Sequence, residues 1–417
     1  MPAGDLSPRS LRLLGLAGIL LIALNVRSAV AAISPLAGRI DADIPLDPTA
    51  IGLLGVVPPV AFALSGIIAP LAARRWGLER SLLLAVLAMV VGHLVRSAAP
   101  DYLVLMLGTA IVLMGAGFGN ILLPPAVKRY APLSLGIVTA AYATLMSIST
   151  ALPPAVGVPI ADATDWRLAL GLWAVVAVLA AVPWLLLALR PPRPPAPSDP
   201  PTSEIDLAAA IPEPDTGRFR DLLRSRVAWG VTIAFTASSM TAYSVFAILP
   251  LVLQDVAGLS EAAAGAALAV FAIVGLPLSL VAPVLTGRLR RPTPLIVMGA
   301  ACGASGFLGM LLLPTAAPLL WVALMGAGQV LFPVCLALIS QRSASPATAT
   351  TVSGFVQAVG YSLAAAIPLA LGVVNTLTGS WAPALIALAS VALLSLTSIP
   401  FLRSGETVDA ELARRAG

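Results

Sequence analysis

The sequence is poor in the residues that soluble proteins expose to water or use in catalytic centres. Charged residues make up only 10% of the 417 residues and hydrophobic residues 59%, whereas soluble domains carry about 25% charged residues. There is a single lysine, Lys128, a single histidine, His93, and only two cysteines. These numbers exclude a disulfide framework, a clustered metal centre and a hydrolase centre. We therefore expect no metal, no cofactor and no enzymatic activity, and we expect the lipid bilayer to be the solvent of most of the chain.

Acidic residues are missing from the middle of the apolar runs. All 19 Asp and Glu residues fall in polar segments or at the ends of these runs. The net charge of +5 comes from short basic clusters between apolar runs, not from one basic face, so it does not indicate nucleic-acid binding. We interpret the basic clusters as signals of membrane topology.

Uncharged intervals divide the chain into segments long enough to cross a membrane, since a spanning helix needs about 20 apolar residues. The intervals 292–341 and 343–402 are each expected to hold two spans, folded back at turn signals in 314–318 and 375–380. The other spans are predicted at about 12–38, 48–73, 81–95, 102–127, 130–161, 168–189, 227–254 and 262–287. Twelve spans predict an all-α membrane protein. The interval 81–95 is short, and we expect Arg96 at its end to turn outward.

The positions of lysine and arginine predict the orientation of these spans. Counted over alternate loops, twenty basic residues lie on one side and three on the other, namely Arg39, Arg96 and Arg167. Loops rich in Lys and Arg stay in the cytoplasm. We therefore predict a multi-pass protein of the inner membrane with both termini in the cytoplasm.

A proline-rich segment separates six spans from six. Residues 191–217 contain nine prolines together with Ser, Asp and Glu, a composition typical of a stiff, extended linker. We predict an N-terminal six-helix bundle at 1–190, a cytoplasmic linker at 191–224, a C-terminal six-helix bundle at 225–403 and a cytoplasmic tail at 404–417.

The two sets of six spans share weak repeats. The string Leu-Met-Gly-Ala-Gly occurs at 113–117 and again at 324–328, and the Pro, Gly and Trp at 153, 157 and 166 recur at 368, 372 and 381. Internal repeats are typical of transporters in which two bundles rock about a site near the bilayer midplane. Chance similarity between apolar segments is the alternative.

Several short segments resemble one branch of a known family. They are Asn25-Val26-Arg27, Arg96, Asn120 with Pro125-Ala126-Val127-Lys128-Arg129, Tyr243 with Leu249-Pro250, Phe332-Pro333, and Gln357 with Gly360. Over essentially its whole length the chain resembles the cyanate and nitroimidazole transporter branch of the major facilitator superfamily. The resemblance implies two pseudo-symmetric six-helix bundles. Two departures are Ser28, where the branch often has proline, and the loop 73–77, which lacks the acid that usually precedes its basic pair.

Arg27 is the most informative candidate for solute binding. At about 1.5 Å per residue, it lies roughly 22 Å beyond Arg12 and so near the middle of the membrane. A cation there costs at least about 2.5 kcal/mol, which makes function the first hypothesis. The alternative is an arginine that snorkels to the surface or binds helix-end carbonyls. Asn25 lies about 200° away on a regular helix, so both side chains can face one cavity only if the helix unwinds.

Other polar side chains recur at helical spacing. One stripe contains Tyr142, Met146 and Ser149, and another contains Ser353 with the glutamine and tyrosine one and two turns later. Each such group has an alternative role as a contact between helices, but together they suggest one common cavity. The predicted substrate-binding residues are Arg27, Asn25, Asn120, Tyr142, Met146, Tyr243, Gln329, Gln357 and Tyr361. His93 is a candidate proton-linked group, with a structural histidine as the alternative.

These features predict a monomeric secondary or facilitative transporter that moves a small anionic or polar solute by alternating access. A drug-efflux antiporter is the alternative within transport. Such pumps commonly use an embedded carboxylate, which the predicted spans lack. A membrane sensor without transport is the alternative of another class, but the linker and tail are too short for a signalling domain.

The predicted orientation can be tested with single cysteines and a membrane-impermeant thiol reagent. We expect labels near Pro201 and at the C-terminus to react only after the membrane is permeabilised. Labels near Asp43 and Asp162 should react in intact cells. If labels in the linker and in the 41–47 loop react from the same side, the arrangement is wrong.

Overall fold

The computed structural model describes residues 7–46, 48–190, 219–289 and 291–416. Within these ranges the chain is helical, without strands, and twelve helices are long and apolar enough to cross a membrane, which confirms the predicted fold class. We number them as spans 1 to 12. Their bounds are Pro8–Ala31, Leu53–Trp76, Leu78–Ser97, Tyr102–Tyr130, Pro132–Ala163, Trp166–Ala188, Arg226–Asp255, Ala263–Arg288, Thr293–Leu312, Pro318–Gln341, Pro346–Thr378 and Ala382–Leu402.

Span 1 differs from its predicted bounds. It begins at Pro8 and ends at Ala31, because the residues that follow form a 3₁₀ turn at Ser34–Leu36 and a separate short helix at Ala37–Asp41. The two predicted fold-backs are confirmed, since span 9 ends at 312 and span 12 begins at 382. Most of the predicted linker lies outside the described residues.

Contacts divide the chain into two compact units. The first comprises Met1–Thr216 with Ser343–Gly354, and the second comprises Gly217–Arg342 with Phe355–Gly417. The first unit thus contains the start of span 11. The predicted domain boundaries stay a prediction.

Large apolar side chains cover the outside of the spans. Leu103 is 75% exposed, Ile137 66% and Leu377 79%, a pattern that is stable only against hydrocarbon. The spans differ in how far the protein encloses them. In the most apolar stretch of 18 residues, 72% of the residues are buried in span 10 but only 22% in span 8. Span 10 is therefore much more enclosed by protein than span 8.

The repeated Leu-Met-Gly-Ala-Gly string does not have the same neighbours in its two copies. Gly115 lies against the backbone of span 3 and Gly117 against span 2, whereas Gly326 lies against span 8 and Gly328 against span 9. In the first unit the earlier glycine faces the unit's third span and the later one its second. In the second unit this order is reversed. The string allows close helix approach in both copies, but it does not mark equivalent positions.

The tryptophan repeat is equivalent in the two units. Trp166 at the start of span 6 donates its indole N–H to Asp43, 2.9 Å away, and Trp381 donates to Asp255 at 2.8 Å. The first bond joins the segment after span 1 to the start of span 6. The second joins the end of span 7 to the start of span 12. The guanidinium of Arg167 also binds Asp43, and its hydrogen bond, with that of Trp166, lowers the pKa of this carboxyl.

Another acid connects spans 3 and 4. Glu79 at the start of span 3 accepts hydrogen bonds from the hydroxyl of Tyr130, at 2.8 Å, and from Nε of Arg129, at 2.9 Å. Both partners lie at the end of span 4. In this loop the acid thus follows the basic pair, Arg74 and Arg75, and makes its ion pair with the next helix.

The C-terminal tail is folded onto the second unit. It forms a helix at Val408–Ala416, and the amide of Val408 donates to the carbonyl of Arg342 at 2.8 Å. Its Glu411 is 2% exposed and caps the start of span 7. The carboxylate accepts from the Ser225 hydroxyl at 2.7 Å, from the Arg226 amide at 2.9 Å and from the Val227 amide at 3.0 Å.

The electrostatics of Glu411 favour its charged form. Burial alone raises its pKa, but the hydrogen bonds from Ser225, Val227 and Arg226 and the charge of Arg415 lower it below the usual value overall. A carboxylate at a helix N-terminus also interacts favourably with the helix dipole. Glu411 is therefore ionised at neutral pH and fastens the tail to span 7.

We expect Glu411→Ala to lower the free energy of unfolding by about 1.5–3 kcal/mol, because it removes hydrogen bonds to a buried charge. Unfolding in mixed dodecyl sulfate micelles measures this change. Since the pKa is lowered in the folded state, the contribution is present above the unfolded pKa of about 4.3 and is lost as the pH falls through the folded value. Glu406→Gln is the control: it removes a more exposed ion pair with Arg414, worth under about 1 kcal/mol. Equal effects of the two substitutions would contradict this role.

Candidate solute-binding residues

Span 1 is interrupted at Arg27. One helix runs over Pro8–Val26 and the next over Ser28–Ala31, with Arg27 between them at φ −93° and ψ −27°. No proline is present at this point. The interruption therefore has another cause than the proline kink that the resembled branch often carries.

A hydroxyl from span 5 causes the interruption. In a regular helix the amide of Ser28 would donate to the carbonyl of Leu24. Here the amide of Ser28 donates to Oγ of Ser149 at 2.8 Å, and this hydroxyl donates to the carbonyl of Leu24. A side chain inserted into the helical ladder is a known cause of kinks. Ser149 thus replaces the missing backbone bond.

The interruption changes what Asn25 and Arg27 can do. Asn25 is fully buried, and among the described residues neither atom of its side-chain amide has a hydrogen-bond partner. Arg27 is half-buried, and its guanidinium carbon lies 5.9 Å from the ring centre of Phe62 in span 2, within the range of a cation–π contact. Asn25 thus lies just before the break and Arg27 lies on it.

The other predicted residues of the first unit lie on spans 4 and 5, which both pack against span 1. Gly119 of span 4 lies against Val26, and the next residue, Asn120, is 1% exposed. Tyr142 and Met146 of span 5 are 0% and 2% exposed. They precede Ser149 on the predicted stripe.

Span 4 also has a backbone carbonyl that its own helix cannot satisfy. Pro125 has no N–H, so the carbonyl of Ile121 lacks its usual partner. The hydroxyl of Ser353, at the start of span 11 and within the first unit, donates to this carbonyl at 2.6 Å. The first residue of the second polar stripe is therefore a helix contact.

Arg96 does not turn outward, and this expectation was wrong. It is 0% exposed. Its Nη1 donates to the carbonyl of Ala29 at 3.0 Å, and its Nη2 lies 2.9 Å from Nδ1 of His93. Because a guanidinium can only donate, Nδ1 of His93 is the acceptor. This pair holds the short helix Ser28–Ala31 at the end of span 1, and the geometry favours the structural alternative for His93.

Span 10 of the second unit is interrupted as well. Its helices run over Pro318–Gly328 and Leu331–Gln341. Pro333 cannot donate to the carbonyl of Gln329, which accepts from the amide of Phe332 at 3.0 Å instead. The side chain of Gln329 accepts from the hydroxyl of Ser238 and donates to that of Thr241, both at 3.1 Å.

An aromatic cluster lies beside this break. The ring of Tyr361 meets the ring of Phe235 edge-on at 5.2 Å and that of Tyr243 at 6.0 Å, and Phe235 also contacts Phe332 at 5.9 Å. Gln357, one turn before Tyr361, is fully buried. Among the predicted residues, the structure thus brings the rings of Tyr243 and Tyr361 into contact. The common cavity stays a prediction.

Sequence reasoning missed the roles of three side chains. Phe62 and Phe235 carry no signal in an apolar sequence, because a buried phenylalanine is the expected core residue. Ser149 was placed on a polar stripe, but its role in interrupting span 1 depends on a neighbour 121 residues away. No local pattern could have revealed that contact.

Twelve apolar spans, including span 1 and span 10 with their interruptions at Arg27 and Gln329, define a multi-pass membrane protein. The family model of the Major Facilitator Superfamily matches residues 16–368. The chain belongs to this superfamily of transporters.

Relatives of known name support the predicted branch. The chain is 31% identical over 387 residues to the 2-nitroimidazole transporter of Escherichia coli, covering 92% of this chain and 93% of the relative. It is 24% identical over 368 residues to the cyanate transport protein CynX of the same organism, covering 87% and 90%. The solved structure of the proton:xylose symporter XylE matches with a TM-score of 0.75 at 16% identity, covering 98% of each chain. At that identity the likeness to XylE shows the fold alone.

We expect Ser149→Ala to lower the free energy of unfolding by about 1–3 kcal/mol, because it leaves a buried amide and a buried carbonyl without their partner. Ser149→Thr keeps the hydroxyl and should restore most of the loss. Thr150→Val is the matched control, since the hydroxyl of Thr150 binds only the carbonyl of Met146 in its own helix. Unfolding in mixed micelles measures all three. If Ser149→Ala is as stable as the unchanged protein, the amide of Ser28 can bond the carbonyl of Leu24 directly. The hydroxyl of Ser149 would then not be the cause of the interruption.

Proposed function

We propose that this protein carries a small solute with a negatively charged or strongly polarised end across the inner membrane by alternating access, and that Arg27 binds this end. The observation that carries the proposal is the interruption of span 1 at Arg27. In the transporters of this general design, solute sites lie near the bilayer midplane and are built from discontinuous helices.

The chemistry of Arg27 suits a small anion or an oxygen-rich group. A guanidinium offers a planar pair of N–H donors that matches two acceptor oxygens. The ring of Phe62 lies 5.9 Å from the guanidinium carbon and supports one side of it without neutralising its charge. An incoming anion can therefore stabilise this cation more strongly than the ring does.

Asn25 supports the same location. A buried amide group without a hydrogen bond costs about 1–3 kcal/mol per unsatisfied atom, and such groups in native proteins require an explanation. A solute that both accepts and donates hydrogen bonds would recover part of this cost. We propose that Asn25 contributes such a contact when the solute is bound.

The second unit supports a flat solute. Tyr361, Tyr243, Phe235 and Phe332 form a connected set of rings, and pockets for small organic ligands are lined mainly by apolar and aromatic groups with a few polar ones. Gln329 lies on the break of span 10 and supplies such a polar group. We propose that Tyr243, Gln329, Gln357 and Tyr361 contact the solute from this unit.

The names of the relatives fit this class of solute. One is described as a transporter of 2-nitroimidazole and another as a transport protein for cyanate. A nitro group and a cyanate ion both present negatively polarised atoms at one end, and the nitroimidazole ring is flat. Both compounds are therefore suitable probes for this chain.

We propose that transport is not coupled through an embedded carboxylate. Among the described spans, acids lie only at the ends, as Glu79 and Asp255 do, and both make hydrogen bonds within their own unit. Any proton coupling would have to use another group or the proton of the solute. We further propose that the protein acts as a monomer with both termini in the cytoplasm.

We expect Arg27→Gln to abolish binding of the best solute from a panel of 2-nitroimidazole, cyanate, small anions, cations and neutral heterocycles. Arg27→Lys keeps the charge but loses the planar fork, so we expect a loss of about 1.5–3 kcal/mol. Calorimetry on purified protein measures binding, and flux into proteoliposomes shows whether the bound solute is moved.

Arg39→Gln is the matched control, because Arg39 follows the same span and forms an exposed ion pair with Asp162. It should bind the solute as the unchanged protein does. Unchanged affinity in Arg27→Gln, or a cation as the best ligand, would contradict the site. Binding without flux would favour a sensor over a transporter.

A further inference from the structure

A groove lies at the start of span 7, away from the candidate solute-binding residues of that unit. An open groove of about 510 Å³ is formed by the segment before span 7, the first turns of that span, the end of span 12 and the tail helix. Its basic side chains are Arg224, Arg226 and Arg415, and its apolar side chains include Trp229, Ile233 and Phe401.

Among the described residues, the basic end of the groove carries more positive than negative charge. Its lining contains three arginines and no carboxylate. Arg415 pairs with Glu411 at 2.9 Å, but Arg224 and Arg226 are exposed and form no ion pair with any acid in the described ranges. The carboxylate of Glu411 also accepts hydrogen bonds from groups at the start of span 7. Two guanidinium groups thus remain at the rim for an anion.

The geometry of this end is held by backbone contacts. Arg415 donates to the carbonyl of Arg224 at 2.6 Å, and the indole N–H of Trp229 donates to the carbonyl of Leu223 at 3.0 Å. Arg415 therefore fastens the tail helix to the segment before span 7, and Trp229 fastens that segment to span 7. The backbone that carries Arg224 is thus held in place before a ligand binds.

The other end of the groove is apolar and belongs to the membrane. Ile233 lies two turns into span 7, and Phe401 lies in the last turn of span 12. A ligand that follows the groove passes from guanidinium groups at the span end to hydrocarbon contacts within the span. Only an amphipathic anion uses both ends.

We propose that this groove binds an anionic phospholipid of the surrounding bilayer, with its phosphate at Arg224 and Arg226 and its first acyl carbons against Ile233 and Phe401. A guanidinium pair binds phosphate through two parallel hydrogen bonds. Basic residues at a membrane surface add about 1 kcal/mol each toward anionic lipid. A free phosphate would use the charges alone, which gives the apolar half of the groove no role.

The test uses the full-length protein in a neutral detergent. Native mass spectrometry counts bound lipid, and thermal melting gives an independent measure. The probes are phosphatidylglycerol, phosphatidylcholine with the same acyl chains, glycerol phosphate and inorganic phosphate. We expect phosphatidylglycerol to bind and to raise the melting temperature, and the other three to do neither at equal concentration.

The variants locate the lipid. Arg224→Gln with Arg226→Gln should weaken phosphatidylglycerol binding at least about tenfold, the effect of losing two surface charges. Phe401→Ser should weaken it too, whereas Arg288→Gln, an exposed arginine of the same unit outside the groove, should not. If the double variant has a lower melting temperature in the absence of lipid, the single variant Arg224→Gln is used to test lipid binding instead. Arg224 lies outside span 7, so this substitution changes no residue of the span.

Three results would overturn the proposal. Equal binding of phosphatidylcholine would show that charge does not select the lipid. Equal stabilisation by glycerol phosphate or inorganic phosphate would show a soluble-anion site. Full phosphatidylglycerol binding in the arginine variants would place the lipid elsewhere.

Discussion

Inside a bilayer each backbone N–H and C=O must find its hydrogen-bond partner within the protein, because hydrocarbon offers none. Regular helices meet this constraint by themselves, so each interruption needs a replacement partner. Ser149 supplies it in span 1, and Ser353 takes the carbonyl that Pro125 leaves free in span 4. In span 10 the amide of Phe332 turns to the carbonyl of Gln329. The breaks that expose polar groups are thus possible only where neighbouring residues replace the lost bonds.

The same constraint governs charge. Arg96 is enclosed, but its N–H groups reach the carbonyl of Ala29 and the ring of His93. Glu411 is enclosed at a membrane boundary, where amides, a hydroxyl and Arg415 surround it. Both make contacts that fix other parts of their unit, which favours a structural role for each. Arg27 differs in its surroundings, because it is half-buried, lies on a break and has an aromatic ring beside its guanidinium.

The number and approximate positions of the spans could be predicted, because length and composition decide whether a helix can cross hydrocarbon. The prediction for Arg96 was wrong for a physical reason. Its place at the end of an apolar run suggested a surface position, but the carbonyl of Ala29 in span 1, 67 residues earlier, accepts a hydrogen bond from it. The glycine string was misleading in a similar way. Its two copies permit close packing, yet the helix that approaches each glycine depends on the rotation of the span in its own unit.

The candidate site shows the same division. Asn25, Arg27, Gln329 and Tyr361 could be selected from the sequence, because polar groups in apolar spans are costly and so require a reason. The sequence by itself determined the number of spans, the absence of acids from their interiors and these candidate polar residues. Only the tertiary structure decided that span 1 breaks at Arg27, that Arg96 turns inward and that the tail caps span 7. Each of these depends on contacts between residues far apart in the chain, whereas span formation depends on the local balance between apolar side chains and a satisfied helical backbone.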